Sequence, residues 1–390
     1  MFHTLMKVVS LGALIWTVAG CATTSPVSPG SPLDTAGGFA VDEIIETVTA
    51  RTLSRETLFS ALADSRIVYV GETHTGKEDH RVQIEILKGM HRKNPSIVLA
   101  LEMFPRNAQP ALDRYSAGIT SEDELIAESR WATVWGYSFD LYRDILEFAR
   151  RERLRIAGLN APNEIVSKIA QSGIESLSHE ERMEVARDFN LDDPANRERI
   201  RREYDQHIRG SIRDFESFYE AQSAWEETMA ETLADMILAL PPEAQVVVLL
   251  GKGHMTNRLG VPAMTFRRIA HTFTTIAPVP VNYPYSLFNP DIAEYIWVTD
   301  KAEMPHRGRL GILIRLHDSG SGLEVLGLTP EGPAATAGIL QGDILVMING
   351  TPVNSLEDLH RAMVHQKEGP HVFVIRRNGE ERTMKVNVAR

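Results

Sequence analysis

Residues 67–74 read Ile-Val-Tyr-Val-Gly-Glu-Thr-His, an apolar run that breaks at a glycine into polar side chains. A similar succession returns at residues 97–101, 156–159 and 246–250, where short apolar runs end beside a polar residue or a glycine. Uniformly apolar runs of this length are typical of strands buried on both faces, and helix-favouring segments lie between them. The sequence therefore predicts an α/β domain with a parallel-sheet core.

The remaining segments of this domain favour helices. Residues 41–52 and 54–63 predict two helices ahead of the first strand. Residues 179–240 contain no strand-like run and predict a helical insertion that covers the carboxyl edge of the sheet. The charges at 180–202 are expected to form a solvated helical face, as charged helical segments usually do.

The chain is long enough for two folded domains, since 390 residues exceed the size at which one hydrophobic core usually stops growing. We place a first domain at 41–290 and a second at 305–390. A net charge of −11 argues against nucleic-acid binding, because neutralising phosphates requires a basic surface. The single cysteine, Cys21, excludes an internal disulfide, so core packing must hold both domains together.

The N-terminus is predicted to direct export. Lys7 precedes an apolar stretch at 8–18, which is about the length of a signal-peptide core and short for a membrane-spanning helix. The stretch ends in Val18-Ala19-Gly20-Cys21, which resembles the bacterial lipobox. The alternative is a free cysteine behind a helix that is not cleaved.

The lipobox resemblance implies a lipoprotein. Residues 1–20 would be the signal peptide, and Cys21 would become the acylated first residue of the mature chain. Residues 21–40 are rich in Ser, Thr, Pro and Gly and predict a flexible tether. Ala22 stands where an aspartate would imply retention at the inner membrane. We therefore expect a protein of the bacterial cell envelope, anchored by lipid at the outer membrane and facing the periplasm.

Polar side chains that can take part in catalysis or metal binding follow the predicted strands. Glu72, His74, Glu102, Asn160 and His254 each come at the end of an apolar run or within a few residues of it. Ligands of open α/β sheets collect beyond the carboxyl ends of the strands, so these residues are expected to converge. Imidazoles and carboxylates together can ligate a divalent metal or transfer protons as a pair. Taken singly, each fits an ordinary hydrogen-bonded loop residue equally well.

Two short motifs carry a family resemblance. Gly71-Glu72-Thr73-His74 and Gly251-Lys252-Gly253-His254 resemble the paired GxxH motifs of the ChaN/Tiki superfamily, and Glu102 matches its intervening glutamate. The resemblance implies a parallel-sheet fold with a helical insertion. Members of the family include haem-binding lipoproteins linked to iron uptake, and more distant relatives include metal-dependent proteases and esterase-like enzymes. Fold therefore transfers to this chain more readily than function does.

The haem-binding members imply one use of the site. Haem would require a broad apolar slot with an axial ligand, and Tyr137 and Trp225 are candidates to line it. The loop after the first GxxH motif contains no tyrosine, so His80 is the candidate axial ligand. Simple core packing explains the same aromatic residues.

The hydrolase relatives imply a different use. His74, Glu102 and His254 would bind a divalent metal, and Glu72 would act as the general base toward a metal-bound water. No Gly-x-Ser-x-Gly elbow is present, and the only cysteine lies in the lipobox, so serine-elbow and cysteine-nucleophile mechanisms have no support. His254 can equally orient a substrate without any metal.

The C-terminal segment resembles a bacterial PDZ domain. Gly308-Arg309-Leu310-Gly311-Ile312 matches its carboxylate-binding loop and second strand, and residues 342–350 match its repeated Gly-Asp signature. The resemblance implies that a C-terminal peptide of a partner protein adds to this strand. The groove would be lined by Leu310, Gly311, Ile312, Leu359 and Met363. Alternatively, Leu310 and Ile312 serve only as the core of the strand.

Three hypotheses remain open from the sequence. The leading one is a lipid-anchored protein that binds haem or iron for iron uptake and carries a PDZ peptide-binding module. The second is a metal-dependent hydrolase, and the third is a PDZ scaffold lipoprotein without catalysis. A homodimer is open in each case, and a nucleic-acid partner is expected in none.

Overall fold

The structure is a computed structural model. It describes residues 38–207, 215–282, 288–301, 310–316, 322–328, 332–353, 358–359, 362–363 and 370–387. The predicted signal peptide, Cys21 and most of the predicted tether lie outside the described residues. Within the described ranges, no helix is both long enough and apolar enough to cross a membrane.

An eight-stranded sheet forms the core of the first domain. Its strand order is β2-β1-β8-β7-β3-β6-β4-β5, and the six strands from β8 to β5 run parallel to one another. The strands are β1 Ile44–Glu46, β2 Arg51–Leu53, β3 Ile67–Glu72, β4 Ile97–Pro105, β5 Arg155–Asn160, β6 Gln245–Gly251, β7 Phe273–Pro280 and β8 Tyr295–Thr299. The predicted α/β fold with a parallel-sheet core is confirmed.

Helices cover both faces of this sheet. Along β3, Val68 and Val70 pack into one hydrophobic cluster, while Ile67 and Tyr69 pack into another on the opposite face. The helices are α1 Arg55–Leu62, α2 Lys77–Lys93, α3 Gln109–Ser116, α4 Glu122–Glu128, α5 Trp131–Val134, α6 Arg143–Arg151, α7 Asn163–Ser172, α8 His179–Met183, α9 Pro194–His207, α10 Phe215–Ala239 and α11 Val261–Arg268.

The chain reverses its winding direction between β3 and β6. From β3 it crosses through α2 to β4, which lies beyond β6, and from β6 it crosses through α11 to β7, which lies beyond β3. The two crossover helices pack on opposite faces, since Val82 of α2 belongs to the first cluster and Val261 of α11 to the second. Connections that diverge in this way open a crevice at the carboxyl ends of the two strands.

The predicted helix at 41–52 is wrong. The segment forms the hairpin β1–β2, which extends the sheet because β1 pairs antiparallel with β8. Its β-branched residues suit a strand, and Ala50 turns the chain with a positive φ of 55°. Because β8 belongs to this sheet, the sheet extends past residue 290, where we expected the first domain to end.

The helical insertion is more integrated than predicted. Residues 179–240 form α8, α9 and α10, and the second half of α10 packs directly on the sheet through Met229 and Leu233. The expected solvated face at 180–202 is wrong at Arg199, which is 6% exposed. An arginine is this deeply buried only when it has partners, and Arg199 has one in Glu226 of α10.

The second domain is an antiparallel β-sheet, as expected for a PDZ domain. Its described strands are ordered β14-β13-β11-β10-β9, with β12 paired to β11. The elements are β9 Ile312–Leu316, β10 Leu323–Leu328, α12 Pro333–Thr336, β11 Ile344–Ile348, β12 Thr351–Pro352, β13 His371–Arg377 and β14 Glu380–Val386. Among these strands β9 lies at one end of the order, the position that peptide addition requires.

Candidate functional site

Strand register brings the two GxxH motifs together. β3 and β6 are parallel neighbours in which Glu72 pairs with Gly251, so both motifs leave the sheet side by side. Glu102 comes from β4 on the other side of β6, and its Oε2 accepts a hydrogen bond from the Gly251 N–H at 2.6 Å. The expected convergence of these strand ends is therefore present in the structure.

His74 is held by one ring nitrogen and open at the other. Its Nδ1 lies 2.8 Å from Glu72 Oε1, and 27% of its side chain is exposed. Among the described residues, Nε2 of His74 has no hydrogen-bond partner. The buried Glu72 is itself held, because Tyr142 Oη donates to Oε1 at 2.6 Å and Gln83 Nε2 donates to Oε2 at 2.9 Å.

Aromatic rings stand beside the His74 ring. The Trp135 ring lies 4.7 Å away in an edge-on arrangement, and the Tyr137 ring lies 5.1 Å away. Tyr137 is 38% exposed. Tyr137 therefore lies beside His74 with part of its ring open to solvent, and its role in cofactor binding stays a prediction.

His254 is enclosed by two carboxylates. Its Nδ1 lies 2.9 Å from Glu226 Oε1, and its Nε2 lies 3.3 Å from Glu102 Oε1. Arg199 Nη2 donates to both oxygens of Glu226 at 2.5 Å. Four charged side chains thus form a continuous chain from α9 through α10 to the sheet: Arg199, Glu226, His254 and Glu102.

The electrostatics of this chain favour its ionised forms. Burial would raise the pKa of Glu102, but the charge of His254, a hydrogen bond from it and the Gly251 N–H bring that pKa to about 2. Burial would likewise lower the pKa of His254, but Glu102 and Glu226 raise it to about 10. For His74, burial opposes the effect of Glu72 and Glu102, which raise its pKa above 6.5.

The predicted metal ligands His74, Glu102 and His254 lie at this shared edge of the sheet. Across the ranges that the structure describes, no group of three or more His, Cys, Asp or Glu side chains is arranged to hold a metal ion. Carboxylate oxygens of Glu102 and Glu226 lie against the two nitrogens of His254. The metal-ligand set stays a prediction.

The other predicted cofactor residues occupy different environments. His80 is buried, with Nδ1 3.0 Å from Gln83 Oε1 and Nε2 3.2 Å from the His74 carbonyl oxygen. To ligate iron it would have to leave at least one of these partners. Trp225 lies on α10 and packs against two hydrophobic clusters, and its buried Nε1 has no hydrogen-bond partner in the described part of the chain. Asn160, at the end of β5, accepts the Ala161 N–H.

Sequence reasoning missed four residues that hold the site in place. Two of them, Gln83 and Tyr142, bind Glu72, and the other two are Arg199 and Glu226. The available signal was Glu226 itself, a carboxylate on the largely buried helix α10. Buried carboxylates are rare without a partner, but the partner lies 27 positions away and no local pattern identifies it.

The described part of the predicted peptide groove is compact. Leu310 is buried, and Gly311 has a positive φ of 66° just before β9. Leu359 and Met363 are buried in the same hydrophobic cluster, against which Ile312 packs. The Leu310 carbonyl oxygen accepts the Ala334 N–H of α12 at 3.0 Å. Most of the predicted carboxylate-binding loop lies outside the described residues.

The chain matches two known protein families. Residues 58–264, just over half of the chain, match the family described as "Haem-binding uptake, Tiki superfamily, ChaN". The chain belongs to this family. Residues 308–388 match the PDZ domain family, so this ChaN-family protein carries a C-terminal PDZ domain.

Individual proteins are also similar to parts of this chain. The first domain is similar to the solved ChaN of Campylobacter jejuni, described as binding haem cofacially, with a TM-score of 0.52 and 16% identity over 65% of this chain and 95% of that one. The magnetosome formation protease MamE of Paramagnetospirillum magneticum is 39% identical over 66 residues, or 17% of this chain. MamE of Magnetospirillum gryphiswaldense is 36% identical over 70 residues, or 18%. Each match spans only 9% of the protease.

The surroundings of His74 fit the haem that the family description implies. A histidine that ligates iron through one nitrogen usually gives its other N–H to a carboxylate or a carbonyl, and Glu72 is placed to accept it. The partly exposed rings of Trp135 and Tyr137 supply the aromatic surface that a porphyrin face requires. The residues that fit a haem therefore lie on the exposed face of the protein beside His74.

Proposed function

We propose that the first domain binds haem at the open face beside His74 and serves iron acquisition. The observation that carries this proposal is the asymmetry of the His74 ring: Glu72 holds one nitrogen, while the other is free of partners among the described residues. Such an imidazole is oriented in advance to ligate iron, because its tautomer and ring angle are set before the ligand arrives. Bound haem would supply an iron centre for this nitrogen to ligate.

The residues around His74 have different roles in binding the ligand. Glu72 fixes the ring, and Tyr142 and Gln83 fix Glu72 from two sides. Trp135 and Tyr137 flank the ring and offer apolar surface. In this proposal His74 replaces the buried His80 as the axial ligand. By analogy with the cofacial binding described for the Campylobacter jejuni protein, a second haem would stack on the exposed face of the first. A second copy of the chain, the homodimer left open by the sequence, would hold that second haem.

Haemin titration of the purified full chain tests the proposal. We expect saturable binding with a shifted Soret band, and a His74→Ala variant should lose at least tenfold in affinity. His91→Ala is the matched control, because that histidine is also partly exposed but lies at the end of α2 beside Glu152. Binding that is equally strong in the His74→Ala variant would contradict the assignment. Gel filtration with and without haemin tests for the haem-linked dimer.

A second candidate function is hydrolysis at the same residues. It is favoured by the His74–Glu72 pair, since an imidazole held by a carboxylate is a suitable general base toward water. A metal-dependent version would require the carboxylates around His254 to rearrange. Metal analysis of the untreated protein and assays with model ester and peptide substrates separate the two functions. A hydrolytic rate that disappears with His74→Ala, in a protein that does not bind haemin, would favour the hydrolase.

We also propose that the chain is exported and anchored by lipid at Cys21, on the outer membrane and facing the periplasm. The lipobox resemblance and the apolar stretch before it support this proposal. A Cys21→Ser variant should accumulate as an uncleaved precursor that incorporates no labelled fatty acid. Normal acylation of that variant would rule out the anchor.

We propose that the PDZ domain binds the C-terminal peptide of a partner protein along β9. This strand lies at the end of the described strand order, and Gly311 precedes it with the positive φ that a tight loop requires. Binding of a library of C-terminal peptides to the full chain tests the groove. Recovery of peptides whose binding does not depend on a free C-terminal carboxylate would contradict it.

A further inference from the structure

His74 and His254 occupy equivalent motif positions but differ in their surroundings. The His254 side chain is 16% exposed, and each of its ring nitrogens faces a carboxylate oxygen, of Glu226 at 2.9 Å and of Glu102 at 3.3 Å. His74 is 27% exposed and uses only one nitrogen. An imidazole can ligate iron only through a nitrogen that is free of a proton and open to the metal. Of the two histidines, only His74 has a ring nitrogen that is without a hydrogen-bond partner among the described residues.

The position of His254 is set by α9 and α10, outside both GxxH motifs. Glu226 is 1% exposed in its side chain and Arg199 is 5% exposed, so the two form a buried ion pair. Arg199 Nη1 also donates to the carbonyl oxygen of Gly253, the residue before His254, at 2.5 Å. Ring and backbone of His254 are therefore held by the same arginine–glutamate pair.

We propose that Arg199 and Glu226 keep the His254 ring turned onto Glu102, so that His254 positions this carboxylate while His74 alone ligates the iron. This inference rests on the proposed haem function. His254 and the Gly251 N–H hold the two oxygens of Glu102. In this arrangement His254 is a positioning residue, and ligation by both GxxH histidines is excluded unless Nε2 of His254 leaves Glu102.

Electron paramagnetic resonance of the haemin-loaded full chain tests the inference. Two imidazoles on ferric haem give a low-spin signal, so the number of histidine ligands can be counted. We expect His74→Ala to abolish the signal of histidine-ligated iron. We expect His254→Ala to leave the spin state unchanged while the affinity for haemin falls severalfold. A low-spin signal that turns high-spin in His254→Ala would overturn the inference and leave haem binding intact. Absence of saturable haemin binding by the unaltered chain would instead refute the proposed function.

The roles of Arg199 and Glu226 have their own test. Replacing both together, Arg199→Met with Glu226→Leu, removes the buried pair without leaving one charge alone. With Nδ1 released, the ring can turn away from Glu102, so His254 should reach the iron in part of the molecules. A low-spin component should then appear that His254→Ala removes. Glu226→Gln keeps an acceptor oxygen and should retain the unaltered spectrum. If the paired replacement binds haemin and gains no such component, the positioning role is wrong.

Glu231→Leu is the matched control for these variants. Glu231 lies on the same helix and is also buried, but it accepts hydrogen bonds from Arg106 and Arg187 rather than from His254. Its replacement should lower stability without changing the spin state of bound haemin. A new low-spin component in this control would show that general loosening of α10, and not loss of the Glu226 contact, frees His254. The spectrum of His254→Ala tests the inference even where the paired replacement does not fold.

Discussion

Gly251 matters to the site because its missing side chain leaves room for neighbouring side chains, and not because its backbone needs the conformational freedom of glycine. Its φ is −59°, which any residue can adopt, but an added Cβ would lie 3.0 Å from His74 Cε1 and 3.6 Å from Glu102 Oε2. Gly251→Ala should therefore displace the His74 ring and weaken haemin binding by about tenfold, with little loss of fold stability. Gly38→Ala, where a Cβ would meet nothing within 4 Å, is the control. Equal haemin affinities in both variants would contradict this role.

The charges of Glu102 and His254 predict how stability depends on pH. The pKa of Glu102 falls from 4.5 to about 2 on folding, so its contribution is present above pH 4.5 and is lost as the pH falls toward 2. The pKa of His254 rises from 6.5 to about 10, so its contribution is present below pH 6.5 and is lost as the pH rises toward 10. The pair should stabilise the fold most between pH 4.5 and 6.5.

Urea unfolding across this pH range checks the prediction. Between pH 6.5 and 10 the free energy of unfolding should fall more steeply in the unaltered chain than in His254→Gln, whose side chain at this position cannot titrate. Unfolding curves whose pH dependence is the same in both proteins would show that this ion pair does not control alkaline stability.

At the scale of elements, α10 connects three parts of the first domain. Phe215 and Tyr219 near its start pack in a cluster with Ile200 of α9, Glu226 at its middle reaches the site, and Leu233 packs on the sheet. Its C-terminal carbonyl groups are also bound, since Arg66 donates to the carbonyl oxygens of residues 237 and 240. One helix thus holds the insertion, the site and the sheet in a single arrangement.

The packing of α1 against α2 offers a prediction of its own. Gly89 lies inside α2, where alanine is ordinarily preferred by about 1 kcal/mol, but a Cβ there would lie 2.1 Å from the ring of Phe59 on α1. Gly89→Ala should therefore destabilise the fold by about 1–3 kcal/mol. Phe59→Leu added to it should recover part of the loss. A double-mutant cycle with no coupling energy between the two positions would refute the contact.

At the scale of the whole molecule, the site is assembled within the first domain. The site is built from β3 and the loop after it, β4, β6 and the segment after it, α2, α9 and α10, the loop that carries Trp135 and Tyr137, and Tyr142 just before α6. All of these lie before residue 300. Removing residues 305–390 should therefore leave haemin affinity nearly unchanged. A loss of more than about tenfold, equivalent to about 1.4 kcal/mol, would show that the PDZ domain contributes to the site.

We expect that peptide binding by the second domain can be lost without any change in haemin binding by the first. Gly311→Trp places a large side chain at a position with φ 66° and should abolish peptide binding, because such backbone is strained for any residue with a Cβ. Haemin affinity should not change. Calorimetry with a bound C-terminal peptide and haemin titration of the same preparation measure both. Parallel loss of the two activities would indicate that the domains depend on one another.

The amino-acid sequence by itself determined the fold class and the family. Uniformly apolar strands, glycines at strand ends and paired GxxH motifs are local patterns, so they can be read without knowing what lies nearby in space. They predicted the parallel sheet, the edge where polar residues gather and the PDZ domain. They also placed Glu72, His74, Glu102 and His254 at neighbouring strand ends, because parallel strands end at a shared edge.

The tertiary structure decided which of those residues are open and which are held. Residues 44–46 form a strand and not a helix because β8, their partner, lies about 250 positions away and overrides local preference. The ring nitrogens of His80 and His254 are occupied by partners that the motifs do not contain, and Arg199 is buried because Glu226 meets it across two helices. Hydrogen bonds and buried charges depend on distances in space, and these are set only when the helices pack on the sheet.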